Sequence, residues 1–143
     1  QIIKKDYLTL NVMKDFENDI RKHLTERGWD NLRPSDLAKS IMIEGAELLE
    51  VFQWDNQVPE EVRKDEEKMA KIRKELADVM IYCFDMAVTL DIDVASMLSE
   101  KLQKVSEKYP TSMFNKETRA KEPALEEDLY KKIKEEYRRE GKN

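Results

Sequence analysis

Cysteine is nearly absent from this chain: Cys83 stands alone among 143 residues, so no disulfide can form within it. That usage predicts a reducing, cytoplasmic setting. Three glycines and four prolines are too few for the many tight turns of an all-β fold. No apolar run reaches the ~18 residues of a membrane span, and no signal-peptide pattern is visible, so no membrane partner is expected. The one histidine, His23, is far in sequence from the one cysteine, which leaves zinc without its usual ligands. Ile20 precedes His23 by three, so the Glu-x-x-His of a di-iron bundle is missing too. Positive charge is not in excess either. With 26 basic against 31 acidic residues the net charge is −5, and no nucleic acid polymer is expected as a partner.

What is present suits amphipathic helices: 40% charged and 40% hydrophobic residues in a length that makes one ordinary domain. Leu8, Val12, Phe16, Ile20 and Leu24 recur in steps of four, and Gly28 is placed to close that helix. Trp29 to Arg33 reads as a loop, and Pro34 suits the first turn of a second helix, predicted from about Ser35 to Gln53 with Leu37, Ile41, Leu48 and Val51 inward. Asp55 to Val58 reads as a turn. Pro59 then opens a third helix whose first part, Glu60 to Lys74, is charged and expected to be solvated. From Leu76 to Leu90 the same helix is apolar nearly all round, the pattern of a buried helix. Asp91 to Asp93 cap a fourth helix carrying Val94, Met97, Leu98, Leu102 and Val105, which Tyr109-Pro110 ends. A last charged helix is predicted over Pro123 to Arg139, with a narrow seam of Leu125, Leu129 and Ile133 and pairs Glu127/Lys131 and Asp128/Lys132. The expected fold is all-α: an antiparallel four-helix-bundle-like domain over residues 1–110, with a charged C-terminal helical extension over 111–143.

Glu44, Glu47 and Glu50 stand three apart on the second helix, and Glu75 and Asp78 three apart on the third. Such pairs lie roughly 60° apart around a helix and project from one face. Glu44 and Glu47 interrupt an apolar stripe, and Asp78 sits between Ala77 and Val79 in the apolar segment. Burying several carboxylates requires compensation, either by Lys and Arg or by a hard divalent cation, for which all-oxygen sites suit Mg²⁺ or Mn²⁺. Glu-x-x-Glu by itself is common on solvated faces. The second, acidic pair on an apolar helix is what points to a metal.

The stretch from Ser40 to Trp54, with its Phe52-Gln53-Trp54 ending, followed by Lys74 to Tyr82, resembles the MazG-like all-α nucleoside triphosphate pyrophosphatases, in the branch that includes dCTP pyrophosphatases. Glu44, Glu47, Glu75 and Asp78 match the family's E-x-x-E and E-x-x-D, and Lys101 and Lys108-Tyr109-Pro110 match its fourth helix. The resemblance covers roughly Trp29 to Pro110. It implies that the four carboxylates hold Mg²⁺, with Mn²⁺ as a substitute, over a triphosphate. Water then attacks the α-phosphorus and pyrophosphate leaves. Glu47 is the residue favoured to orient the water. The resemblance also implies phosphate clamping by Lys101 and Lys108, and self-association as a dimer or tetramer. Trp29, Trp54 and Tyr82 are candidates to wall the base. Three positions depart from the branch: Arg33 stands for a His, Asp36 for an Asn and Val105 for an Asn. They leave base and sugar preference open.

The leading expectation is therefore an enzyme, a Mg²⁺-dependent (deoxy)nucleoside triphosphate pyrophosphatase. A non-catalytic nucleotide-binding or regulatory helical oligomer is the alternative, with a purely structural helical module behind it. Cys83 and His23 receive no role, and Asp85 is a doubtful ligand.

Overall fold

In the computed structural model, residues 7–121 and 123–141 are described, with side chains omitted at a few of them, Leu8 and Leu125 included. All regular structure among them is helical: α1 (Tyr7–Glu26), α2 (Pro34–Glu50), α3 (Pro59–Val62), α4 (Glu66–Thr89), α5 (Val94–Lys108), α6 (Lys116–Lys121) and α7 (Pro123–Arg139). Among the described residues no helix is long and apolar enough to cross a membrane. The chain forms two compact units, one up to Ala95 and one from Ser96 onward.

In the first unit α2 and α1 both pack on α4. Ile20, Leu24, Phe84, Ala87, Val88 and Val94 make the core, with Met13 and Leu32 against it. Phe16 meets Phe84 edge-on at 4.9 Å between ring centroids. Glu17 is buried within this apolar set, where its carboxylate accepts from the Val94 backbone N–H at 3.0 Å and from Lys14 Nζ at 2.8 Å. A buried acceptor satisfied twice joins the middle of α1 to the start of α5.

The helix ends follow their sequence signals. Gly28 has φ +66°, its N–H reaches the Thr25 carbonyl, and the Trp29 N–H reaches Leu24. This double closure is the Schellman motif. The same pattern ends α4, with Asp91 at φ +54° in place of glycine and Ile92 N–H on the Ala87 carbonyl at 2.8 Å. Pro34 occupies the first turn of α2 as expected.

Four expectations need correction. The α2 helix stops at Glu50, and residues 51–54 form turns instead of carrying it to Gln53. The third predicted helix is two. Pro59–Val62 forms one turn, and Asp65 restarts the chain as the N-cap of α4, its side chain accepting from Lys68 N–H at 2.9 Å. The charged segment is not wholly solvated, because Lys68 is buried, held by Asp55 and by Gln57 at 3.0 Å and lying over the Phe52 ring. Finally, only part of the apolar helix is buried. Phe84, Ala87 and Val88 enter the core, whereas Leu76, Met80 and Ile81 remain exposed in the single chain.

In the second unit α6 and α7 pack together. Tyr109 stacks on Tyr130 at 5.0 Å and meets Phe114 edge-on. Lys131 pairs with Glu127 at 2.7 Å, as the i,i+4 spacing predicts.

Candidate active site

Packing α2 against α4 sets two acidic pairs face to face. Glu44 from α2 and Glu75 and Asp78 from α4 each offer a carboxylate oxygen, and these oxygens all lie within 4.8 Å of one another. Desolvation first, then the charges of Glu47, Asp78 and Glu75, raise the Glu44 pKa above its ordinary value, with Lys74 opposing. Lys74 is the cation at hand: its Nζ donates to Glu75 Oε1 at 2.9 Å and lies 3.7 Å from Asp78 Oδ2. The hydrogen bond to Glu75 raises the Lys74 pKa in turn. One lysine against Glu44, Glu47, Glu75 and Asp78 leaves the group strongly negative. Glu75 Oε2 is buried with no hydrogen-bond partner, an arrangement that costs free energy until a donor or cation meets it. Three convergent carboxylates with an orphaned oxygen fit a hard divalent cation.

Glu47 is exposed and stands outside the three-oxygen group. With Glu75 it lines a cavity of about 480 Å³ that also takes in Glu50, Asp55, Lys68 and Lys71. A second cavity, about 420 Å³, has Asp78 in its wall. Trp29, Leu32, Leu37, Ile81 and Tyr82 supply its apolar and aromatic lining. Such a volume with a few polar groups is typical of small-molecule sites. Asp78, Tyr82 and Asp85 recur at helical spacing along one face of α4, which is why all three reach this cavity.

Of the candidate base-walling residues, Trp29 and Tyr82 line this second cavity, whereas Trp54 is 90% exposed in the turn after α2. Arg33 is the exposed N-cap of α2 and offers only its carbonyl there. Lys101 and Lys108 belong to the second unit. Lys101 is exposed, and Lys108 Nζ lies 4.3 Å from the Tyr137 ring centroid. Sequence reasoning gave no role to His23, yet it lines the second cavity beside Trp29, at 6.0 Å between rings. Asp85, Asp36 and Ser40 line it as well. The helical step from Asp78 to Asp85 was the available signal.

The sequence profile of the MazG-like family matches residues 39–122, a span that holds all four carboxylates. The chain belongs to the MazG-like family. A solved structure, a pyrophosphatase from Archaeoglobus fulgidus DSM 4304, is 35% identical with a TM-score of 0.60, over 68% of this chain and 92% of that one. The dCTP pyrophosphatases 1 of Rattus norvegicus and Mus musculus are each 28% identical over 90 residues, 62% of this chain and 53% of theirs. The chain spans about half the length of these curated relatives.

Proposed function

We propose that this MazG-like protein hydrolyses nucleoside triphosphates to the monophosphate and pyrophosphate, with a divalent metal, Mg²⁺ or Mn²⁺, at Glu44, Glu75 and Asp78. One observation carries the proposal: three carboxylate oxygens from two helices converge within 4.8 Å, and an unpartnered buried oxygen stands on the same Glu75. The names of the relatives agree with it. A cation held there would neutralise the charge of the triphosphate oxygens.

This chain's own groups perform the rest. The α-phosphorus lies beside Asp78, with the nucleoside in the cavity of Trp29 and Tyr82 and the outer phosphates toward the cavity of Lys68 and Lys71. The oxygen of a water bonds to the α-phosphorus, and the bond from that phosphorus to the bridging oxygen breaks. Pyrophosphate leaves with that electron pair. Glu47, exposed at the edge of the carboxylate group, orients the water and accepts its proton. Lys101 and Lys108 add positive charge for the phosphates. The protein acts in the cytoplasm as a dimer or tetramer, residues 1–110 forming the pyrophosphatase domain and 111–143 its extension.

The test is pyrophosphate release from eight ribo- and deoxyribonucleoside triphosphates, with and without Mg²⁺. Release that requires metal, with a monophosphate as the other product, is expected. Glu75→Gln or Asp78→Asn lowers kcat/KM by about 100-fold or more, since each replaces a charged metal ligand with a neutral amide. Silence across the panel from folded protein removes the proposal.

A further inference from the structure

Asp85 is 94% buried by its 6% relative exposure and lines the second cavity, yet no hydrogen bond from a described residue reaches its carboxylate. A carboxylate so placed is an acceptor that a ligand in the cavity can meet with a donor. Of the lining residues that carry a donor, Ser40 gives its hydroxyl to the Asp36 carbonyl, and no hydrogen bond from His23, Trp29 or Tyr82 reaches Asp85, on which His23 acts through its charge. Burial raises the Asp85 pKa above its ordinary value, with His23 opposing.

Position assigns the donor. Asp85 lies seven residues beyond Asp78 on the same helix, a rise of about 10.5 Å, with Tyr82 between them lining the same wall. That rise is comparable to the distance from an α-phosphate to the far edge of its base. With the phosphates at Asp78, which is where the proposed function puts them and on which this step rests, the edge of the base arrives at Asp85. A carboxylate only accepts hydrogen bonds. It pairs with an exocyclic amino group, as acidic side chains do with the N4 amino of cytosine. A carbonyl at the same point sets two desolvated acceptors against each other.

We infer that Asp85 is a specificity-determining residue, which selects nucleotides whose base carries an exocyclic amino group and rejects uracil and thymine. Cytosine and uracil form the sharpest probe, because they match in size and differ at this edge. Wild-type protein favours dCTP over dUTP in kcat/KM by about 10- to 100-fold, the range for a hydrogen bond to a charged group. In Asp85→Asn, whose amide both donates and accepts, that ratio falls toward one, with dUTP gaining.

A ratio unchanged in a folded Asp85→Asn protein overturns the assignment while leaving hydrolysis intact, and so does a wild-type protein that treats both alike. If neither is hydrolysed, the proposed activity fails separately, and calorimetric titration of wild-type protein with dCMP and dUMP decides. Tighter binding of dCMP by about tenfold or more supports Asp85; equal binding or none overturns it. The same titration decides if Asp85→Asn does not fold, with Asp85→Ser as the second variant.

Discussion

Gly28 illustrates how one backbone angle settles a site's position. Its φ of +66° is open to glycine and strained for other residues, and a Cβ built there touches nothing within 4 Å. The effect of Gly28→Ala is therefore conformational, not steric. A loss of about 1 kcal/mol is expected, measured by urea unfolding with m unchanged. Wild-type stability in that variant would mean that the turn relaxes out of the left-handed region. Trp29, which follows this turn and lines the second cavity, depends on it. Asp91 tolerates the same region at the end of α4, where its carboxylate receives Arg21 at 2.9 Å. That exposed ion pair contributes little.

At the level of elements, α4 is defined by a cap as much as by its apolar period. Asp65 accepts the Lys68 N–H, and Asp65→Ala is expected to cost about 1 kcal/mol, read by thermal unfolding together with loss of helical ellipticity. No change would show that the buried Lys68 holds the start of the helix without the cap. Much of this architecture was legible beforehand. Steps of four through Ile20 and Leu24, the terminator Gly28 and the opener Pro34 each rest on local rules, and each matches the fold. The convergence of Glu44 with Glu75 and Asp78 could be anticipated from spacing on two helices plus the family resemblance. What escaped was tertiary. Lys68 looked like one of several solvated lysines until Asp55 and Gln57 folded over it. Asp85 was no more than a doubtful ligand until the turn after α1 and the first turns of α2 walled it in. Spacing along one helix cannot reveal what another segment places opposite.

For the whole molecule, the large apolar side chains left exposed in the first unit, Met42, Ile43 and Leu49 on α2 and Leu76 and Met80 on α4, bear on the proposed self-association. Where such side chains join into one patch they mark contacts with other chains, and the mass in solution tests that. Light scattering of the purified protein is expected to give the mass of two or four chains, against 17.0 kDa for one. A monomer at micromolar concentration would remove that part of the proposal and leave the carboxylates, which all come from one chain, unaffected.

Glu75 faces one cavity and Asp78 the other, a single helical turn apart on α4. On the proposed chemistry, cleavage at that turn divides the substrate between the two cavities. Pyrophosphate is left on the lysine side and the monophosphate on the aromatic side.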